Sequence, residues 1–161
     1  VAFTSGIDTT YDEYIIKAIN VHSANDSVSM RFTLSTDGGS SYITGSSYDW
    51  RCDGANDGGT DETAGAAGGA YIQVHGSGAL GNAAAEAMDF EVSIMAPSAT
   101  TNWTKTYSKC IHTEPAGGQS LSQTYGGGQI KTLTAINAIK FAFSAGNVSS
   151  GGFYLFGIVK S

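Results

Sequence analysis

Apolar side chains recur at every second position in several separate stretches of this chain, a period that suits half-buried strands and not amphipathic helices. Across residues 27–35 the apolar positions are Val28, Met30, Phe32 and Leu34, with Ser29, Arg31 and Thr33 between them. Met88, Phe90, Val92 and Ile94 repeat the pattern, as do Ile139, Phe141 and Phe143, and Tyr48, Trp50 and Cys52 make a shorter version. Residues 11–21 are dense in Tyr14, Ile15, Ile16 and Ile19. Residues 102–112 alternate Thr104, Thr106 and Ser108 with Trp103, Lys105, Tyr107 and Lys109, which predicts a half-exposed strand. Residues 152–159 are almost wholly apolar or aromatic, the signature of a strand covered on both sides.

Turn chemistry separates these runs at residues 36–41, 116–118, 126–128 and 145–147, where Gly and Asn supply positive φ. Gly, Ala, Ser and Thr make up about half the chain, and three of these four are weak helix formers. The Ala-rich stretch 79–88 is bounded by Gly78 and Gly81, so at most a turn or two of helix is expected there. The pattern predicts an all-β fold: one antiparallel β-sandwich of jelly-roll type, with seven to nine strands in a single domain over residues 1–161. Phe32, Leu34, Phe90, Val92, Ile94, Phe141, Phe143 and Leu155 are its expected core.

Residues 53–82 stand apart, being mostly Gly, Ala, Asp, Asn and Ser. Ordering such a stretch costs about 1–2 kcal/mol of backbone entropy per residue, and only Tyr71, Ile72 and Val74 offer much apolar burial in return. The expectation is a protruding excursion, dispensable to the fold, with Tyr71, Ile72 and Val74 docking on a neighbouring subunit.

The charge balance narrows the partners. Eight basic against fourteen acidic residues leave a net charge of −6, too little positive charge for phosphate neutralisation on nucleic acid or for docking on an anionic membrane. No run approaches the roughly 18 apolar residues of a membrane span, so membrane insertion is not expected.

Catalytic signatures are missing. No Gly-x-Ser-x-Gly elbow occurs, and His22, His75 and His112 lie in unrelated contexts, expected as solvent-facing strand residues. Asp53, Asn56, Asp57, Asp61 and Glu62 crowd one Gly-rich stretch, but Ala55 and Ala64 fall where an EF-hand needs oxygen ligands. A solvated acidic loop is the simpler reading, and neither a metal nor another cofactor is expected. Cys52 and Cys110 are read as two buried thiols, with one disulfide the alternative. Among the aromatics, Trp103 follows a polar loop and is the candidate ligand platform, whereas Trp50 alternates in phase with Tyr48 and Cys52 and is assigned to the core.

Three blocks carry a resemblance. Residues 3–14 (FTSGIDTTYDEY), residues 97–103 (PSATTNW), and the closing pair 138–147 (AIKFAFSAGN) and 152–158 (GFYLFGI) resemble structural proteins of marine tailed bacteriophages, the virion and tail-fibre-like proteins. The blocks cover about half the chain in the same order, and residues 53–82 depart from the pattern. The resemblance implies a place on the surface of a virus particle, as a capsid decoration or a fibre or tail-tip module, contacting other virion proteins and copies of itself. A symmetric trimer is expected. The alternative is a carbohydrate-binding adhesion module, which an exposed aromatic row would distinguish from a purely structural part. Neither role is enzymatic.

Overall fold

The computed structural model describes residues 1–115 and 120–159. Eleven strands account for its regular structure: β1 (Ala2–Phe3), β2 (Glu13–Ser23), β3 (Met30–Ser35), β4 (Tyr48–Asn56), β5 (Ala64–Gly69), β6 (Ile72–Gln73), β7 (Met88–Met95), β8 (Lys105–Thr113), β9 (Leu121–Ile130), β10 (Ala138–Phe143) and β11 (Val148–Ile158). Two of them, β1 and β6, are only two residues long. The described residues contain no helix, so residues 79–88 form turns and a bridge in place of a helical turn or two.

The strands form two antiparallel sheets packed as a sandwich. The smaller runs β1-β10-β3-β6 and the larger β11-β2-β7-β8-β9-β4-β5. The alternation read from the sequence sets which side of each strand enters the space between them. Met30, Phe32 and Leu34 from β3, with Phe141 and Phe143 from β10, meet Tyr14, Ile16 and Ala18 of β2 and Met88, Phe90, Val92 and Ile94 of β7. Four phenylalanines tie the layers together. The Phe141 ring centroid lies 5.8 Å from Phe32, 5.3 Å from Phe90 and 5.8 Å from Phe153.

Two buried tyrosines anchor loops through their hydroxyls. Tyr14 donates to the Asp8 carboxylate at 2.6 Å. Tyr48 accepts from the Leu34 N–H at 2.9 Å and donates to the Ile43 carbonyl at 3.0 Å, and burial pushes its phenol up to about 12.

Four expectations need correction. First, β11 is not covered on both sides: it forms one edge of the large sheet, with Tyr154, Phe156 and Ile158 exposed and Leu155 only partly buried. Second, Gly126, Gly127 and Gly128 are not a turn but the middle of β9, paired on one side to β8 and on the other to β4. Space explains them: a Cβ at Gly126 would sit 2.4 Å from Cys52 Sγ, and one at Gly128 2.7 Å from Ile72 Cδ1. The expected turn at residues 116–118 lies outside the described residues.

Third, residues 53–82 do not form a protruding excursion. β4 continues through Asn56 alongside β9, β5 pairs with β4, and β6 pairs with β3. Fourth, Ile72 and Val74 are buried in the chain's own core and so are not free to dock a subunit, while Tyr71 is half-buried with its ring under the Arg31 guanidinium. The entropy argument failed because these few apolar side chains enter a core built by other strands, and the Gly- and Ala-rich remainder gains ladder hydrogen bonds from β4.

Candidate functional site: the outer face of the large sheet

Hydrophobic side chains are not confined to the interior. Ile19, Tyr107, Ile111, Leu121, Tyr125, Tyr154, Phe156 and Ile158 are all exposed, and all stand on the outward side of the large sheet. Tyr107 and Tyr125 are each 58% exposed. Protein surfaces normally scatter such residues singly, so their collection makes this face the candidate site.

The amphipathic sense of β8 and β9 is inverted, and this inversion builds the face. Along β8 the inward positions are Thr106, Ser108, Cys110 and His112, and the outward ones Lys105, Tyr107, Lys109 and Ile111. β9 repeats this, with Ser122 and Thr124 inside and Leu121, Gln123 and Tyr125 outside.

Strand register arranges the outward residues in rows. One row runs Tyr154, Lys17, Glu91, Lys109, Tyr125 and Asp53 from β11 across to β4. The next runs Phe156, Ile15, Ser93, Tyr107, Gly127 and Arg51. Tyr107 and Tyr125 therefore stand diagonally on neighbouring strands, about 7–8 Å apart at the backbone. The Tyr107 ring lies over Gly127, where a Cβ would meet it at 3.5 Å, so glycine lets the ring settle on the sheet.

Several charges on this face are paired. Glu91 bridges Lys17 at 3.3 Å and Lys109 at 3.1 Å. Partial burial pulls its carboxyl upward, but the hydrogen bonds from Lys109 and Lys17 outweigh that and hold it below its ordinary value. Arg51 grips Asp53 through two nitrogens, at 2.8 and 2.6 Å. Asp49 is held down to about 2, first by the Lys131 ammonium at 2.9 Å. Lys17, Arg51, Lys105 and Lys109, half of the chain's eight basic residues, are outward here, so the face carries much less negative charge than the net −6 of the chain.

Two shallow depressions mark the surface. One, about 390 Å³, is lined by Lys17, Ile19, Glu91, Lys109, Ile111 and Tyr125 among others. The other, about 620 Å³, lies over Arg51, Gly65, Ala67, Lys105 and Gln129. Flat aromatic faces beside fixed hydrogen-bonding groups can hold a ring that is apolar on one side and polar at its rim. Nothing in this arrangement pairs a nucleophile with a base.

The inward polar residues of β8 form a second cluster. His75 and His112 are buried with ring centroids 4.9 Å apart, which corrects the expectation of solvent-facing histidines; His22 alone is partly exposed. The Met30 N–H donates to His75 Nε2 at 3.1 Å. Burial, then the neighbouring His112, holds His75 down to about 3, and burial likewise lowers His112. Glu62, expected in a solvated loop, is buried and accepts from Ser77 Oγ at 2.8 Å and from the Gly78 N–H. Among the described residues no group of three or more His, Cys, Asp or Glu side chains is placed to hold a metal ion.

Cys52 and Cys110 are both buried free thiols. Trp103 is 43% exposed, as a platform requires, but it lies in the loop before β8. Trp50 is half-buried against Tyr71, with ring centroids 6.4 Å apart, so it borders the core without being enclosed. Sequence reasoning missed Tyr107, Tyr125, Tyr154 and Phe156. The available signal was the alternation in residues 102–112, where hydroxyl residues take the phase that apolar residues hold elsewhere.

No protein-family model matches the chain, and no curated protein matches it. Among solved structures, the "Putative pore-forming toxin" from Bacteroides vulgatus aligns at 12% identity and a TM-score of 0.11, over 82% of this chain and 56% of that one. This chain thus spans little more than half of that protein's length, and a likeness at that TM-score carries no argument about fold or function.

Proposed function

We propose that this chain is a non-enzymatic structural protein on the surface of a bacteriophage particle, a capsid decoration or a fibre or tail-tip module, that assembles with copies of itself and other virion proteins. The observation that carries the binding part of this reading is the outer face of the large sheet, where eight large apolar side chains stand exposed around ion-paired charges. The virion context rests on the resemblance of residues 3–14, 97–103, 138–147 and 152–158 to phage structural proteins. Fold class alone does not assign it, because β-sandwiches serve many functions. Mass spectrometry of purified particles of the encoding phage, followed by an electron-microscopy map, tests the reading. The chain should be present in stoichiometric amount with its density on the exterior, and particles lacking it would refute the proposal.

A second reading is favoured by one specific feature. Tyr107 and Tyr125 stand on a glycine-floored surface beside the Lys17–Glu91–Lys109 bridge, an arrangement suited to stacking and hydrogen bonding with sugar rings. In this reading the chain is an adhesion module for surface glycans. Binding on a glycan array that is lost in both Tyr107→Ala and Tyr125→Ala, with unchanged thermal melting, supports it. Retention of binding by both variants excludes this face.

A further inference from the structure

Each sheet of the sandwich has two edges, and three of the four are blunted. In the small sheet, β1 and β6 are too short to template another strand. In the large sheet, β5 has six residues rich in glycine, and Gly68 turns away at φ +76°. The fourth edge, β11, is eleven residues long and has only β2 as a strand neighbour.

The first part of β11 is irregular, with register shifts at Val148/Ser150 and Ser150/Gly152. Gly151 there has φ +129° and its backbone packs on Val21. From Gly152 to Ile158 the ladder is regular, opposite Ile19 to Glu13. This stretch contains no proline and no charged residue. No backbone or side-chain hydrogen bond outside the β2 ladder is recorded for residues 152–158 among the described residues. Natural sheets protect open edges with charges, proline, bulges or brevity, and this one has none over seven residues.

We propose that residues 152–158 form a two-fold antiparallel pair with the same residues of a second copy, joining the two large sheets edge to edge. The inference rests on the self-assembly part of the proposed function and names its contact. A second copy fits because the strand is uncharged, so pairing it with itself brings no like charges together. With the two-fold axis at Leu155, Tyr154 stands opposite Phe156 of the second copy and Phe156 opposite its Tyr154, while Gly152 stands opposite Ile158. Both aromatic pairs then lie outward, each flanked by Lys17 of one copy and Ile15 of the other, and make the exposed rows of the two copies continuous. Such a contact is isologous and closes as a dimer, in place of the trimer expected from the sequence.

Sedimentation velocity of the full chain over the micromolar range tests this, with Tyr154→Lys/Phe156→Lys to place like charges across the seam. Leu133→Lys, exposed between β9 and β10 and away from this face, is the control. The expected result is a dimer in the unsubstituted protein and in Leu133→Lys, and a mass halved in the double variant. An oligomer that survives the double substitution, or whose mass is a trimer's, overturns the β11 contact but leaves self-assembly standing. A monomer at every concentration overturns both. If the double variant does not fold, hydrogen exchange on the unsubstituted chain decides: amide protection in residues 152–158 should rise with concentration, and unchanged protection overturns the pairing.

Discussion

Replacing Phe141 by alanine should remove the strongest single link between the two sheets. The side chain is fully buried on β10, and its ring touches Phe32 within its own sheet and Phe90 and Phe153 from the other. Burying a phenylalanine removes about 150–250 Å² from water, which at about 25 cal/mol per Å² is worth roughly 4–6 kcal/mol, of which the alanine methyl recovers a part. The three ring contacts add to the loss, and the rigid β10 and β3 ladders limit collapse into the cavity. The expected destabilisation is about 3–5 kcal/mol, a large share of the roughly 5–15 kcal/mol that holds an ordinary domain folded. Urea denaturation followed by tryptophan fluorescence and far-ultraviolet circular dichroism reads it as a lower midpoint at unchanged slope. Phe141→Leu should cost clearly less because it leaves most of the volume filled. A loss below about 1 kcal/mol for the alanine variant would place Phe141 outside the core and refute the register of β10 on β3, since a one-residue slip turns the strand over.

Three further outcomes follow from buried chemistry and from the path of the chain. Because burial holds His75 down to about 3 and lowers His112, the unfolded chain binds more protons below its ordinary histidine value near 6.5. Stability is therefore whole above about 6.5 and falls as pH drops from there, toward 3 for His75 and by up to about 1.4 kcal/mol per pH unit for that residue, with His112 acting in the same direction; urea midpoints that do not move between pH 7 and 5 would contradict it. Burial pushes the Cys52 thiol up to about 11 and Cys110 further, so neither should react with a thiol reagent in the folded protein while both react in denaturant; prompt labelling without denaturant refutes this. Replacing residues 54–69 with a Gly-Ser linker removes β5, the end of β4 and buried Glu62, so thermal melting should show a marked loss of stability, and an unchanged midpoint would restore the dispensable excursion.

What the sequence determined by itself was local. Period-two alternation in residues 27–35, 88–94 and 139–143 settled the strands and their inward sides, because side chains on a strand point alternately to opposite faces whatever lies beyond it. Those sides are the ones buried in β3, β7 and β10. Position within a sheet is not a local property, and only the tertiary structure decided it. The apolar run in β11 is compatible with a strand buried on both sides and with an apolar edge, and the difference is whether a strand lies on its second side. Gly126 to Gly128 have turn composition, yet their place in mid-sheet follows from Cys52 and Ile72, which arrive from strands far away in the sequence. Tyr107 and Tyr125 became an exposed diagonal pair for the same reason. Ser108, Ser122 and Thr124 take the inward, buried positions of β8 and β9, so the tyrosines at alternate positions of the same strands are turned toward solvent.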